Sequence, residues 1–205
     1  MQNHDQDTQE IARLVRRCRE GDELAWEELV RRFQNRVLGL VSHYVRSRED
    51  ARDVAQEVFI RVFRSLPNFE NEERFVPWLL RIARTTAIDH TRRRAARPPA
   101  QDVPAEDMHA LADPNPDPAE RTERASERGM LRRALDRCSS LHREILVLRE
   151  VQGMALNEVA DLLGIPSGTA KSRAARARAE LAREVMALED EEVRRLEGPQ
   201  PGGAS

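Results

Sequence analysis

The sequence lacks the features of a secreted, zinc-binding or membrane-spanning protein. Its two cysteines, Cys18 and Cys138, lie far apart and outside any CxxC pair or Cys/His cluster. Two such cysteines suit a reducing compartment and argue against a disulfide scaffold or a zinc site. No apolar run approaches the roughly 18–20 residues of a membrane span, and the polar N-terminus MQNHDQDTQE does not read as a signal peptide. We therefore expect a cytoplasmic protein without membrane insertion.

Catalytic and cofactor-binding motifs are also missing. The chain contains no HExxH, no phosphate-binding P-loop and no nucleophile elbow, and its five histidines show no ligand spacing. Each of these patterns would place a nucleophile, a base or a metal ligand at a fixed position. We therefore expect a protein that is not an enzyme and that needs no metal or other cofactor.

What the composition does contain favours helices. Aromatic residues make up only 4% of the 205 residues, and β-branched runs are scarce. Alanine, arginine, leucine and glutamate dominate, and the apolar 40% recurs at helical spacing. This pattern predicts an all-α fold.

Proline divides the chain into two helical blocks. Six of the eleven prolines fall between Pro98 and Pro118, in an acidic stretch without apolar periodicity that we interpret as an extended linker. The predicted organisation is a first domain at 8–95, a flexible linker at 96–120, a second domain at 121–188 and a disordered tail at 189–205. The fold class is thus two small helical domains joined by an acidic, proline-rich linker.

Charge is unevenly distributed in a chain whose net charge is only −2. The segment from Arg81 to Arg97 contains six arginines and one carboxylate. The segment from Ser167 to Arg183 contains five basic residues and one carboxylate. The stretch from Pro98 to Glu120 between them carries six acids and no lysine or arginine. Basic islands in an acidic chain indicate a polyanionic partner at those places.

The second block has the pattern of a helix-turn-helix. A helix over 141–151 is interrupted at Gly153, and a short helix over 156–163 ends at Gly164, where a positive φ is easily taken. Pro166 prevents helix continuation, and Ser167 is placed to start or cap the next helix. A helix, a tight glycine turn and a basic helix predict insertion of the second helix into a DNA major groove.

The last helix separates into two faces at 100° per residue. Ala170, Ala174, Ala177 and Leu181 form a narrow apolar face suited to close packing. Arg173 and Arg176 lie opposite, where they can reach guanine edges or phosphates. Thr169, Lys171 and Ser172 are placed to hold phosphates and fix the register.

The helix over 49–66 is strongly amphipathic. Its apolar face contains Ala51, Val54, Ala55, Val58, Val62 and Leu66, and its polar face contains Asp50, Asp53, Gln56, Glu57, Ile60 and Arg64. An isoleucine among carboxylates and an amide is typical of a protein-contact surface, although a single exposed isoleucine is also common. The pattern alone leaves both interpretations open.

A basic helix with aromatic residues at its entrance follows. Pro77 fits the first turn, and Leu79, Ala83 and Ala87 form the inner face. The outward side chains are Arg81, Arg84, Thr85, Ile88 and Arg92, with Asp89 at the border and with Phe69, Phe75 and Trp78 at the start of the helix. Aromatics beside arginines suit single-stranded nucleic acid, whereas each aromatic taken singly is more often part of the core.

Three strings taken in order resemble the extracytoplasmic-function (ECF) sigma factors, the small sigma subunits of bacterial RNA polymerase. They are DARDVAQEVFIRVFRSL, FVPWLLRIARTTAIDHTRRR and GIPSGTAKSRAARAR. The resemblance covers roughly 10–95 and 120–185 and implies sigma region 2 followed by region 4. It implies a factor that directs promoter-specific transcription initiation.

The resemblance also implies roles for individual residues. Asp50, Asp53, Gln56 and Glu57 match the helix that docks on the polymerase β′ clamp, which favours a protein contact at Ile60. The Phe69–Phe75 loop matches the one that receives a flipped minus-10 base, and the helix that reads this element would carry Arg81, Arg84, Thr85, Asp89 and Arg92. The recognition helix, with Thr169, Lys171, Ser172, Arg173 and Arg176, would read the minus-35 duplex. The implied partners are core polymerase (β′ clamp and β flap), promoter DNA and an anti-sigma protein.

Four positions depart from the family pattern. Thr85 stands where the family usually has Asn, so one hydroxyl replaces an amide in the base pocket. Ala170 and Ala174 replace larger apolar residues, and Ala155 replaces a serine that would cap the short helix.

A rival interpretation is a helix-turn-helix repressor or activator that never joins polymerase, and a third makes the first block a pure interaction adaptor. The repressor or activator interpretation leaves unexplained the acidic face of the helix over 49–66 and the basic helix with aromatic residues at its entrance. The adaptor interpretation leaves the arginines of 81–97 unexplained.

Overall fold

The chain is almost entirely helical where its structure is described. A computed structural model describes residues 2–45, 47–96 and 118–197, with side chains over 6–45, 47–96 and 127–195. Helices, turns and short connections make up these residues, and no strand occurs among them. The chain divides into two compact units, Met1–His109 and Ala110–Ser205. The predicted all-α class is confirmed.

The described residues of the first unit form four α-helices. They are α1 (Gln2–Arg19), α2 (Glu23–Val41), α3 (Arg48–Ser65) and α4 (Phe75–Ala95). Two short 3-10 turns, Leu66–Asn68 and Glu72–Arg74, connect α3 to α4. Asp22 caps α2 by accepting the Ala25 N–H at 3.0 Å, and Ser47 caps α3 in the same way.

The core of the first unit lies where the helical pattern predicts it. All six predicted residues of the inner α3 face, from Ala51 to Leu66, are buried. Leu79, Ala83 and Ala87 of α4 are buried too, together with Leu29 and Phe33 of α2. Because α2, α3 and α4 all contact one another, their inner faces close around a single core.

The second unit contains the predicted helix-turn-helix. Its elements are α5 (Pro118–Arg137), α6 (Ser140–Leu146), a π-helical turn (Val147–Val151), α7 (Leu156–Leu163) and α8 (Ser167–Glu197). Gly164 ends α7 with φ +67°, as predicted, and α8 starts at Ser167. A non-glycine residue rarely adopts such a φ, so this glycine sets the direction of the turn.

The structure differs from the sequence prediction after Leu188. The predicted disordered tail began at 189, but α8 continues as a helix to Glu197. The reason is contact with α5, because Leu188 is buried and Arg137 binds both carboxylate oxygens of Glu191 at 2.9 and 2.8 Å. The predicted linker falls mostly on 97–117, and the end of the predicted tail on 198–205; both lie outside the described residues.

Candidate functional surfaces

The outward face of α3 carries an apolar centre wider than the sequence indicated. Asp53 and Gln56 are exposed, and Ile60 is 43% exposed beside them. Phe63, one turn further, is 60% exposed, and its ring lies edge-on to Trp26 of α2 with centroids 5.0 Å apart. We call these five residues the α3 surface. The sequence pattern missed Phe63 because a helical wheel does not show which side chains the neighbouring helices cover and which they leave exposed.

Asp50 and Glu57 differ from the other predicted residues of this helix because α4 binds them. Asp50 forms an ion pair with Arg94. Glu57 accepts a hydrogen bond at 3.0 Å from Arg61 of its own helix and lies 3.7 Å from Arg93 of α4. The structure therefore places these two carboxylates at the boundary of α3 and α4, with part of their charge already neutralised.

An aromatic pair stands at the entrance of α4. The rings of Phe69 and Trp78 are stacked, with centroids 4.3 Å apart and planes at 22°, and both side chains are half-buried. Their free edges offer an apolar surface of the kind on which a nucleobase can stack. The structure brings these two residues together as the sequence predicted.

Phe75 does not share that exposure. It is fully buried, with its ring 5.4 Å from Phe33 and 5.8 Å from Trp78. A ring without accessible surface cannot contact DNA, so the sequence-based assignment of Phe75 as a DNA contact needs correction. Its place in the structure is beneath the Phe69–Trp78 pair, which it supports.

The outer face of α4 presents the predicted polar side chains. Arg81, Thr85 and Arg92 are exposed, and Arg84 is half-buried. Asp89 lies 3.6 Å from Arg61 of α3 and so faces the α3–α4 boundary. The neighbouring Thr86 is fully buried and donates to the Ile82 carbonyl at 2.8 Å, which confirms that Thr85 and not Thr86 is the outward threonine.

The outer face of α8 is as the helical wheel predicted. Ala170, Ala174 and Ala177 are buried, whereas Thr169, Lys171, Ser172 and Arg176 are exposed and Arg173 is half-buried. The Ser172 hydroxyl donates to the Thr169 carbonyl at 3.1 Å, and Arg176 Nε approaches the Ser172 carbonyl at 3.4 Å. Arg178, at the flank, is bound to Glu150 at 3.0 Å.

The start of α7 shows the effect of Ala155. This residue has no side-chain acceptor for the helix N-terminus, but its own N–H donates to Glu158 at 2.8 Å. One of the two reciprocal bonds of a capping box is therefore formed, and the bond that a serine would supply is missing.

One carboxylate, Glu180, joins α8 to the start of α6. It accepts hydrogen bonds from the Ser139 N–H at 3.1 Å and the Ser139 hydroxyl at 3.3 Å, and it pairs with His142. The hydrogen bond with His142 is the main reason that the pKa of Glu180 lies below its ordinary value. Sequence reasoning missed this contact because its partners lie 38 and 41 residues away.

The described residues contain no group of three or more histidine, cysteine or acidic side chains that could hold a metal ion. Burial raises the pKa of Cys18 to about 11, so its thiol is protonated and a poor nucleophile at neutral pH. Among the same residues, no helix is long and apolar enough to cross a membrane.

Comparison with known proteins gives the family. The family model for Sigma-70 region 2 matches residues 29–97, and that for Sigma-70, region 4 matches 128–181. The RNA polymerase sigma-H factor of Pseudomonas aeruginosa is 38% identical over 181 residues, covering 80% of this chain and 88% of that protein. This chain belongs to the ECF sigma factors. It is a sigma subunit of RNA polymerase that acts in transcription initiation, and it is not an enzyme.

Further comparisons agree with this. The ECF RNA polymerase sigma-E factor of Escherichia coli K12 is 36% identical to our sigma factor, covering 85% of this chain and 94% of that protein. The structure of CnrH in complex with the cytosolic domain of CnrY shares its fold, with a TM-score of 0.61, 24% identity and coverage of 86% and 97%. RpoE in complex with the anti-sigma factor NepR from Bartonella quintana shares it with a TM-score of 0.58 and 18% identity, covering 78% and 96%.

The two family matches set aside the rival interpretations. A repressor or activator outside polymerase accounted for the second unit alone, whereas both units of this sigma factor match sigma regions. The matches do not cover every helix. Helix α1 lies before residue 29, and α8 continues well past residue 181.

Proposed function

We propose that the two units divide promoter recognition between them. The predicted domain 8–95, within the first unit, binds core polymerase and captures the melted minus-10 strand, and the predicted domain 121–188, within the second unit, reads the minus-35 duplex. The observation that carries this proposal is the stacked, half-exposed Phe69–Trp78 pair at the entrance of a helix with exposed arginines. A protein that only reads duplex DNA has no use for such a pair beside a basic face.

Core polymerase binds the α3 surface. Ile60 and Phe63 form an apolar centre, and Asp53 and Gln56 give it a polar border. Interfaces draw most of their affinity from a few such apolar anchors that become fully desolvated. Asp50 and Glu57 contribute from the edge, where their bonds to α4 have to be exchanged for bonds to the β′ clamp.

The melted minus-10 strand binds at Phe69, Trp78 and the outer face of α4. A base that leaves the stack costs a few kcal/mol, and stacking on an aromatic ring returns about 1–3 kcal/mol. The backbone-binding cations are Arg81, Arg84 and Arg92, with Thr85 as the hydroxyl at the base. Asp89 acts at the border through Arg61, and Phe75 acts by supporting the aromatic pair.

The minus-35 duplex binds the exposed face of α8. The N-terminal residues of a recognition helix lie nearest to the base edges, which here are Thr169, Lys171 and Ser172. Arg173 and Arg176 lie about one and two turns after Thr169, where each can contact a guanine edge or a phosphate. The bonds between Arg176 and Ser172 hold the guanidinium along this face before DNA arrives.

The proposed partners follow from this division. They are core polymerase through its β′ clamp and β flap, promoter DNA, and an anti-sigma protein of the kind seen with the RpoE relative. Because polymerase is cytoplasmic, the sigma factor acts in the cytoplasm. The acidic linker, 96–120, would enter the basic RNA channel of polymerase.

Three variants with three readouts test the proposal. Ile60→Asp should weaken co-elution with core polymerase by about 30-fold, because it places a charge in a desolvated anchor position. Leu24→Asp is the matched control, since Leu24 is 72% exposed on α2 and lies outside the proposed surface. Phe69→Ala should spare core binding and impair promoter melting, and Arg176→Ala should spare both and weaken minus-35 binding. Loss of core binding in Arg176→Ala would contradict the assignment.

A further inference from the structure

A carboxylate in the Phe69–Phe75 loop, which we call the base-capture loop, binds helix α1. Glu72 begins the second 3-10 turn, three residues after Phe69. Its Oε1 accepts a hydrogen bond from Arg19 Nη1 at 2.8 Å and lies 3.9 Å from Arg16 Nε. The side chain of Glu72 is only 19% exposed, so this ion pair is partly shielded from water. We call Glu72, Arg16 and Arg19 together the Glu72 tether.

Two backbone hydrogen bonds of the loop are local. The Phe69 N–H donates to the Leu66 carbonyl at 3.0 Å, and the Arg74 N–H donates to the Asn71 carbonyl at 2.9 Å. These bonds fix the shape of each turn. The Glu72 tether differs because it connects the loop to a helix 53 residues earlier in the chain.

We propose that Glu72 is a positioning residue, which fixes the loop on α1 and so keeps Phe69 in place to receive the minus-10 base. This rests on the proposed role of the Phe69–Trp78 pair. A loop that is already held in its binding conformation loses less entropy when the base arrives. A charge-assisted hydrogen bond with restricted access to water is strong enough to bias such a short loop.

The tether gives α1 a part in promoter opening. Arg16 and Arg19 lie outside the residues that match Sigma-70 region 2, which begin at 29. The basic C-terminal turn of α1 would accordingly do more than cover the core. It would set the position of a DNA-binding loop without contacting the DNA itself.

The direction in which Glu72→Ala changes DNA binding separates a positioning role of Glu72 from a general electrostatic effect of its charge. Removal of a carboxylate close to DNA should tighten binding, because less negative charge faces the phosphates. The tether predicts the opposite for Glu72→Ala, since the loop is released. Glu73→Ala, at an exposed residue of the same turn, removes the same charge without releasing the tether and should leave binding equal or tighter.

The experiment uses the full chain assembled with core polymerase. The probe is a promoter fragment that wild-type holoenzyme selects from a random library, prepared with a single-stranded non-template strand over the minus-10 element. A second set of probes carries an abasic site at each minus-10 position in turn. The abasic probe that binds worst to wild type identifies the captured base.

Glu72→Ala should weaken binding to the intact probe by about three- to tenfold, and should barely change binding to that abasic probe. Arg19→Gln should reproduce the loss, and the double variant should lose no more than the larger single loss. Glu72→Gln, which keeps an acceptor oxygen, should fall between wild type and Glu72→Ala.

Two results would overturn the proposal. One is an equal loss on the intact and abasic probes, which would show general destabilisation. The other is unchanged or tighter binding of Glu72→Ala to the intact probe. If wild type itself does not distinguish intact from abasic probes at any position, the base-capture role of the Phe69–Trp78 pair fails first, and the tether loses its purpose with it.

Discussion

Phe69 and Phe75 are six residues apart, and their substitutions should have opposite consequences. Phe75 is fully buried and packs against Phe33 and Trp78, so Phe75→Ala removes a ring from a closed core. Such changes cost about 3–5 kcal/mol of unfolding free energy. Phe69 is half-buried, so Phe69→Ala should cost only about 1 kcal/mol, chiefly the loss of its ring contacts with Trp78 and Phe75.

Tryptophan fluorescence measures this in the full chain. The sequence contains two tryptophans, Trp26 and Trp78, and both lie in the first unit. Their emission therefore follows the unfolding of that unit alone. With a urea dependence of about 1.5 kcal/mol per molar, Phe75→Ala should lower the midpoint by about 2–3 M and Phe69→Ala by less than about 1 M.

Promoter melting by folded protein should depend on Phe69 more than on Phe75, the reverse of their order in stability. Phe69→Ala should fold normally and fail to hold the melted strand. Phe75→Leu, a milder change that keeps the core filled, should retain melting at a temperature at which it is folded. The reasoning would be refuted if Phe75→Ala kept the wild-type urea midpoint and lost melting, because Phe75 would then act as a DNA contact.

Two further predictions concern the second unit. Arg176→Ala should weaken minus-35 binding and lower the salt slope by about one, whereas Arg178→Ala should change both less because Glu150 already binds Arg178; equal effects would contradict the assigned face. Glu180 has a lowered pKa through His142, so its stabilising effect is complete above its ordinary value of 4.5 and is lost as pH falls through its lower folded value. In Glu180→Gln, the stability of residues 139–146, measured by hydrogen exchange, should fall less as the pH is lowered than it does in the wild type. An equal fall in the variant and in the wild type would contradict this.

Helical periodicity was enough to predict most of the fold. The inner faces of α3 and α4 are the predicted ones, and so is that of α8 except that Leu181 is only half-buried. Most of these faces were predictable because the position of a side chain around a helix depends only on local geometry. The turn at Gly164 was predictable for the same reason, since its backbone conformation suits glycine. Outward residues such as Thr85 and Arg176 follow directly from these faces.

Contacts between distant parts of the chain were not predictable. Helix α8 continues to Glu197 because Arg137, 54 residues earlier, binds Glu191, and composition alone suggested disorder there. Phe75 follows a loop and has the same residue type as Phe69, so only the packed structure separates the buried ring from the exposed one. The ion pair of Glu57 with Arg93 of α4 depends in the same way on how two helices meet.

Transcription from purified components tests the central claim most directly. Core polymerase, with and without the full chain, is given a promoter library, and run-off transcripts and co-elution are measured. We predict that the chain co-elutes with core polymerase and that specific transcripts appear only in its presence. Replacement of either the minus-10 or the minus-35 element of a selected promoter should then abolish them. Tight binding to duplex DNA without co-elution and without transcripts would contradict the account.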